Sequence, residues 1–256
     1  MLGVSEIEND TVLRDLIKHP LIANRNYDIV HRNSKDRRGI DVALIYDKDV
    51  FEPLDVTMHP VNIFKLGSSR PTRDVMLVSG LLDGELIHIT VNHWPSRSGG
   101  QKKSAKYRNL AAAVNREIID SLHAKDPASK IIILGDFNDD PTNESLTQYL
   151  RAKGKIKSVG ADDMYNPMMA YFKKGKGTTA YRDRWSLFDQ LVVNKPLIDK
   201  SGDGLKFHSA NIFNKKYLIQ KWGKYKGYPF RTFDFDEYQG GYSDHFPVYI
   251  YLLKEI

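Results

Sequence analysis

The stretch IIILGDFNDDPT, from Ile131 to Thr142, runs from four aliphatic residues into a glycine, three aspartates, an asparagine and a proline. Continuous apolarity ended by turn residues predicts a strand buried on both faces. Residues i and i+2 of an extended chain share a face, so we expect Asp136 and Asn138 to point into one cleft and Phe137 into the core. The aspartate can orient or deprotonate a water, and the asparagine can hold a phosphoryl oxygen without adding charge. A polar loop with Asx turns and a helix cap is the competing interpretation.

The remaining polar residues of this stretch predict a turn. Asp139, Asp140 and Pro141 suit a connection that leads into a short helix after Thr142. The three aspartates therefore reduce to one catalytic candidate, Asp136.

Elements on both sides of this strand indicate a layered α/β protein. Residues 74–82 and 85–92 predict two strands joined by Asp83-Gly84, a strong hairpin signal. Helical spacing of apolar residues predicts one helix from Asn9 or Asp10 to His19 and a longer one over about 101–123. Further strands are predicted at 27–32, 40–47, 131–134, 188–193 and 246–253, the last two buried on both faces. The fold class is thus α/β (α+β), a four-layer sandwich of two mainly antiparallel sheets packed face to face and flanked by helices.

Composition excludes several classes of function. The 256 residues contain no cysteine, so disulfides, thiolate metal sites and a cysteine nucleophile are ruled out, and any metal must be held by oxygen or imidazole. No apolar run reaches the roughly 18 to 20 residues of a membrane span. A net charge of +6 favours a phosphate-bearing partner, although a lysine-rich solvated surface gives the same balance.

Polar residues suited to phosphate or metal chemistry end apolar segments at four places. They are Glu6 after LGVS, Asn92-His93 after HITV, Asp136 with Asn138, and Asp244-His245 before FPVYIYLL. Aspartate can bind a hard divalent cation, and histidine can donate a proton near neutral pH. A turn before a strand is the alternative interpretation of the last motif.

The segments GVSEIE, VNHWPS, ILGDFNDDP, LFDQLVV and YSDHFPV occur in the order seen in the endonuclease/exonuclease/phosphatase superfamily, which has the deoxyribonuclease-I-like fold. The resemblance spans nearly the whole chain, from Glu6 to Val248. GDFNDDP looks most like a bacterial extracellular nuclease-like branch, whereas inositol polyphosphate phosphatases usually resemble GDLNYR at this place.

The resemblance implies metal ligands and a water-activating group. Glu6 looks like the carboxylate that binds the essential Mg²⁺, with Mn²⁺ or Ca²⁺ as alternatives, and Asp244 is similar to the family's second carboxylate on the metal side. Asp136 resembles the aspartate that orients and deprotonates the attacking water, with Asn138 holding the phosphate.

The resemblance also implies two histidines with carboxylate partners. His93 is similar to the histidine that contacts phosphate or protonates the leaving oxygen, and Asp41 to the acid that orients it. His245 resembles the second catalytic histidine, and Asp189 its carboxylate partner. Asp41 and Asp189 lie in apolar strands, where they can instead anchor Arg38 or Arg184.

Residues 1–256 are expected to form a single domain of this type, truncated at the N-terminus, because the family's first strand with its asparagine has no counterpart here. The chain is expected to be soluble and monomeric. Its compartment stays open, with secretion or the periplasm as alternatives for a longer protein that carries a signal peptide.

The substrate is expected to be nucleic acid or another phosphoester, because clusters of cations mix with aromatic residues. The leading prediction is a Mg²⁺-dependent phosphodiesterase that acts as an endo- or exonuclease. The alternatives are a hydrolase of a small phosphoester or phospholipid head group, and a catalytically silent nucleic-acid-binding module. The clusters comprise Arg37, Arg38, Arg97, Lys102, Lys103, Lys106, Lys173, Lys174, Lys176, and the lysine-aromatic segment 215–226 with Tyr217, Trp222, Tyr225 and Tyr228.

Overall fold

The computed structural model describes residues 1–201 and 203–254 and has a mixed α/β architecture. Its helices are α1 Asp10–Ile17, α2 Gln101–Lys125, α3 Met168–Lys173 and α4 Lys195–Ile198, with short 3-10 turns at Ile63–Leu66, Ile156–Ser158 and Lys216–Leu218 and a π-helical turn at Ser145–Tyr149. Its strands are β1 Leu2–Ile7, β2 Tyr27–His31, β3 Asp41–Asp47, β4 Phe51–His59, β5 Val75–Leu82, β6 Glu85–His93, β7 Lys130–Asp136, β8 Ala152–Lys153, β9 Met164–Tyr165, β10 Thr179–Tyr181, β11 Arg184–Ser186, β12 Asp189–Asn194, β13 Lys206–Ile212, β14 Phe233–Asp234, β15 Glu237–Tyr238 and β16 Val248–Leu253.

A seven-stranded sheet forms the centre of the molecule, with the strand order β4-β5-β6-β7-β12-β9-β8. The helix α2 connects β6 to β7, and these two strands are accordingly parallel, as expected when a helix forms the crossover. The strand β12 then pairs with β7 in the antiparallel direction. A three-stranded sheet, β1-β3-β2, and the two-stranded ribbon of β13 and β16 are separate from it.

The hydrophobic core lies on both faces of the seven-stranded sheet. One face packs against α2, through residues such as Ile119, Ile131 and Phe137. The other face packs against the three-stranded sheet, through Leu44 and Ile132 among others. The helix α1 covers the outer face of the three-stranded sheet. The predicted four-layer α/β arrangement is therefore confirmed, and none of the described helices has the length and apolar character needed to cross a membrane.

Local signals place several elements as predicted. Asn9 caps α1, because its side-chain oxygen accepts hydrogen bonds from the backbone of Thr11 at 2.9 Å and Val12 at 3.2 Å. Asp83 and Gly84 both have positive φ, which suits the two-residue turn between β5 and β6.

The strand β16 differs from the prediction of burial on both faces. Among the described residues it pairs only with β13, and its side chains alternate between half-buried and exposed over much of its length. Tyr251 and Leu253, for example, are exposed. A two-stranded ribbon packed on one side leaves its other face open, so continuous apolarity overestimated the burial.

Candidate active site

Three predicted site residues form one row across the centre of the seven-stranded sheet. His93 is the register partner of Asp136 in the parallel pair, and Asp189 is the partner of Asp136 in the antiparallel pair. Register partners on neighbouring strands project from the same face. The strands β6 and β7 end at this row, and β12 begins there, so the three side chains meet at one edge of the sheet.

A glycine allows these strands to approach so closely. Gly135, just before Asp136, has a φ of 138°, and a Cβ at this position would collide with the backbone of Asn92. Only glycine accommodates this combination of dihedral angle and contact. The G of GDFN therefore has a structural function beside the residues of the row.

His245 joins the row through Asp189. Its Nδ1 lies 2.7 Å from Asp189 Oδ2. Burial lowers the pKa of His245, but the charge and hydrogen bond of Asp189 outweigh it and raise the pKa to about 10. His245 is thus protonated at neutral pH and can donate a hydrogen bond or a proton through Nε2. The predicted pair of His245 and Asp189 is present.

Asp136 has the properties of a base. Burial raises its pKa, protonated His245 opposes that rise, and the negative charge of Asp189 adds to it, with a net value of about 6. A carboxylate with a pKa near neutrality is ionised at pH 7 and remains able to accept a proton.

Asn138 reaches Asp136 through a turn and not through strand alternation. Its φ is 49°, in the left-handed region that asparagine tolerates better than most residues. Its backbone N–H donates to Asp136 Oδ1 at 2.8 Å, and its side-chain amide donates to the Trp94 carbonyl at 3.0 Å. Phe137 is fully buried and stacks on Trp94 with ring centroids 4.4 Å apart. The predicted division into a polar cleft and a core residue is present, although the backbone is not extended.

His93 is buried beside Asp136, with its Nε2 3.7 Å from Asp136 Oδ2. Burial and the positive charges of Arg73, Arg38 and His245 lower its pKa well below the ordinary value. His93 is therefore neutral at pH 7. Its Nδ1 has no hydrogen-bond partner among the described residues.

The expected contact between Asp41 and His93 is not formed, which corrects this pairing. Asp41 instead lies 3.0 Å from His31 Nε2 and accepts a hydrogen bond from the Ser34 backbone at 2.7 Å. The reason is topological, because β2 and β3 are neighbours in the three-stranded sheet and bring His31 close to Asp41. A catalytic role for Asp41 stays a prediction.

The two predicted metal ligands, Glu6 and Asp244, are both exposed. Neither carboxylate makes a hydrogen bond or ion pair with another described residue. No group of three or more acidic or histidine side chains in residues 1–201 and 203–254 is arranged to hold a metal ion. Mg²⁺ prefers carboxylate oxygens and is commonly held by one or two of them with several waters, so the side chain of each residue has the chemistry that this ion requires.

The backbone at Glu6 is strained. Its φ is 60°, and the register between β1 and β3 shifts at this residue. Glutamate rarely adopts this conformation, and such strain often occurs at functional sites. β1 packs closely on the face that carries the row, since a Cβ at Gly3 would collide with Leu134, two residues before Asp136.

Asp139 was predicted only as a turn residue, but it is a buried ion-pair partner. Arg108 is fully buried, with its Nε 2.8 Å from Asp139 Oδ1. Ser145 donates to Asp139 Oδ2 at 2.7 Å. Arg97 bonds the Asn138 carbonyl at 2.9 Å and contacts Asp140 at 3.1 Å. Asp139 and Arg97 thus fix the turn that carries Asn138.

Arg73 is a site residue that the sequence interpretation missed. Its side chain is buried and donates to the carbonyls of His93 at 3.1 Å and Trp94 at 2.8 Å, and to Asp36 Oδ2 at 2.8 Å. These bonds hold the end of β6 in place. No local signal could identify this role, because the acceptors lie about 20 and 37 residues away in the chain.

Some of the predicted cation and aromatic residues are structural. Tyr228 is buried and bonds Asp183 at 2.6 Å, and Tyr225 bonds Asp234 at 3.2 Å. Tyr217 and Trp222 are 53% and 61% exposed and remain available for contact.

The fold and the family match identify a hydrolase of phosphoester bonds. The chain belongs to the Endonuclease/Exonuclease/phosphatase family, whose family model matches residues 1–254. No curated protein matches its sequence.

Solved structures share the fold at low sequence identity. The chain resembles a mannosyl-6-phosphatase of Bacteroides thetaiotaomicron with 17% identity and a TM-score of 0.60, over 98% of this chain and 84% of that chain. It also resembles TDP2 of D. rerio complexed with a single-strand DNA product, with 11% identity, a TM-score of 0.60, and coverage of 98% and 85%. The catalytic domain of human Nocturnin with bound sulfate gives 16% identity and a TM-score of 0.57 over 82% and 71%.

Proposed function

We propose that the protein is a Mg²⁺-dependent phosphodiesterase that cleaves nucleic acid by in-line attack of an activated water. The observation that supports this most is the row of His93, Asp136 and Asp189 with His245 at the edge of the central sheet. Its members differ in protonation at neutral pH, as an acid-base mechanism requires.

In this mechanism Asp136 takes a proton from the attacking water, because its pKa of about 6 leaves it ionised at pH 7. His245, protonated and held by Asp189, donates to a phosphoryl oxygen or to the leaving oxygen. Neutral His93 lies next to Asp136 and can donate one hydrogen bond to the phosphate.

Glu6 and Asp244 would hold the cation, and Asn138 would contact the phosphate. A divalent cation supplies positive charge that stabilises the negative charge developing on phosphoryl oxygens. The role of Asn138 is supported by its proximity to Asp136, since its side-chain nitrogen lies 3.4 Å from Asp136 Oδ2.

Nucleic acid is favoured as the substrate by an exposed surface next to His245. Tyr242 is 63% exposed, lies three residues before His245, and has its ring 5.9 Å from that of Tyr217. Trp222, which is 61% exposed, lies near this surface, because its ring is 5.9 Å from that of Phe230 and the Phe230 ring is 6.4 Å from that of Tyr242. Lysines of the lysine-aromatic segment flank Trp222 in the sequence. Aromatic rings can stack on bases while lysines contact the backbone.

The test compares DNA, RNA, sphingomyelin and inositol phosphates as substrates, each with Mg²⁺ and with EDTA. We expect hydrolysis of a nucleic acid that requires Mg²⁺. Hydrolysis of only sphingomyelin or inositol phosphates would favour the small-phosphoester alternative. Binding of nucleic acid without turnover would favour the silent module, and hydrolysis unaffected by EDTA would refute the metal-dependent mechanism.

A further inference from the structure

A cavity of about 330 Å³ lies between the loop that connects β2 to β3 and the segment that precedes β5. Arg37 and Arg70 are exposed, and their guanidinium groups make no hydrogen bond or ion pair with another described residue. Arg38 has its Nε 3.5 Å from Asp36 Oδ1, with 57% of its side chain exposed. The residues that line the cavity are Asp36, Arg37, Arg38, Arg70 and Pro71.

The one acidic residue of the cavity is already neutralised. The Asp36 side chain is 7% exposed, and its Oδ2 accepts a hydrogen bond from Arg73 at 2.8 Å. Burial alone would raise the pKa of Asp36, but the bonds from Arg73 and from the Arg38 backbone lower it. Because Arg73 balances Asp36, the three other arginines leave the cavity with positive charge. Thr72, beside the lining, adds a buried hydroxyl that lacks a partner in the described part of the chain.

The guanidinium group of Arg73 lies between the cavity and the candidate active site. Arg73 contacts Asp36 on one side and donates to the His93 carbonyl at 3.1 Å on the other. Burial lowers the pKa of His93 most, and the positive charges of Arg73 and Arg38 lower it further. This effect is consistent with the short distance between His93 and the arginines beside the cavity. A substrate seated at His93 and Asp136 therefore has an electropositive cavity as its neighbour.

We propose that Arg37, Arg38 and Arg70 form a subsite for a second phosphate of the substrate, next to the phosphate that is hydrolysed. This inference rests on the proposed phosphodiesterase function. Guanidinium groups present a planar fork of donors that matches phosphate oxygens, and unpaired ones keep all their donors available. The second phosphate can be an internucleotide phosphate of a strand or the second phosphate of a small ester.

The test measures kcat and KM for substrates with one phosphate and with two. Bis(p-nitrophenyl) phosphate and a dinucleoside monophosphate carry one, whereas a trinucleoside diphosphate and a small bisphosphate ester carry two. Arg37→Ala and Arg70→Ala should each raise the KM ratio of two-phosphate to one-phosphate substrates about tenfold or more, as expected for a charged hydrogen bond. Whether the trinucleoside diphosphate or the bisphosphate ester responds distinguishes the source of the second phosphate.

Arg25→Ala is the matched control, because Arg25 is exposed, does not line the cavity and makes no side-chain hydrogen bond or ion pair with a described residue. It should leave the KM ratio unchanged. Equal ratios for wild type, Arg37→Ala and Arg70→Ala would overturn the subsite, as would an equal effect of Arg25→Ala.

A binding measurement separates this inference from the proposed function. Inorganic phosphate is titrated into the ¹⁵N-labelled protein, and the amide signals of residues 34–39, Ser69, Arg70 and Thr72 are followed. We expect shifts in wild type that the Arg37→Ala/Arg70→Ala double variant lacks. If no substrate is hydrolysed, the phosphodiesterase proposal fails, and this titration alone decides the subsite: identical shifts in both proteins, or none in wild type, would refute it.

Discussion

Replacing Asp139 by asparagine should destabilise the protein far more than the same change at its neighbour Asp140. Asp139 is the acidic partner of Arg108, which is fully buried, with 2.8 Å between Nε and Oδ1. Removing one member of a buried pair leaves an uncompensated charge and typically costs about 3 to 5 kcal/mol. For a chain of this size, that corresponds to a fall in the melting temperature of about 6 to 20 °C.

Asp140→Asn is the matched control because the side-chain oxygen that accepts the Leu187 backbone N–H at 2.8 Å can be retained. It loses the charge opposite Arg97, a partly exposed pair worth about 1 kcal/mol or less. Thermal and urea unfolding of both variants would measure the difference. If Asp139→Asn unfolds within about 1 kcal/mol of Asp140→Asn, the assignment of Asp139 as a structural counter-ion is refuted.

A double variant tests whether the unpaired charge of Arg108 causes the loss of stability in Asp139→Asn. Arg108→Met with Asp139→Leu removes both charges and replaces them with apolar side chains of similar size. Such replacements of buried pairs are often neutral or stabilising. The double variant should therefore recover much of the stability lost in Asp139→Asn, and a loss equal to or larger than that of the single variant would point to packing instead.

Two further predictions concern charge at the site and at the sheet edge. Asp189→Asn should lower the pKa of His245 from about 10 towards the ordinary value of about 6.5, because Asp189 is what raises it in the folded protein. In wild type the pair stabilises the fold fully below the unfolded-state pKa of histidine, and this stabilisation is lost as pH rises through about 10. Ring NMR titration of the metal-free protein would measure it, and a pKa still near 10 in the variant would refute the pairing. Glu85 accepts a hydrogen bond from the Leu205 backbone at 2.9 Å and pairs with Lys130 and Lys254; burial raises its pKa, but these contacts lower it overall. Glu85→Gln should thus cost about 1 to 3 kcal/mol at pH 7. The difference from wild type should shrink as pH falls below the ordinary glutamate pKa of about 4.3 and disappear once pH is below the lowered pKa of the folded state, whereas a pH-independent difference in urea midpoint would contradict it.

Patterns along the chain predicted the parts of the fold that depend on local sequence. The buried strand at 131–134, the hairpin at Asp83-Gly84 and the long helix follow from apolar periodicity and turn chemistry. The sequence could not show that β16 is exposed on one face, because the burial of a strand depends on the number of strands beside it. Apolarity alone does not distinguish a central strand from a two-stranded ribbon.

The candidate site was predictable where motif residues meet through the central sheet, as for Asp136 and Asp189. Contacts between distant segments were not predictable. Asp41 bonds His31 of the adjacent strand and not His93, and Arg73 links residues from two remote segments. The ion pair of Arg108 and Asp139 was likewise missed, because a charged residue on a helix usually faces solvent.

The rate of phosphodiester hydrolysis by Asp136→Asn tests the central claim most directly. Bis(p-nitrophenyl) phosphate and a single-stranded oligonucleotide are incubated with Mg²⁺ and wild type, Asp136→Asn or Asp140→Asn, each shown to be folded by its thermal unfolding. We predict that Asp136→Asn loses about 10²-fold to 10⁴-fold in kcat, the usual contribution of a general base, while Asp140→Asn stays within a few fold of wild type. A folded Asp136→Asn protein that keeps more than a tenth of the wild-type rate would contradict the role of Asp136 as the base.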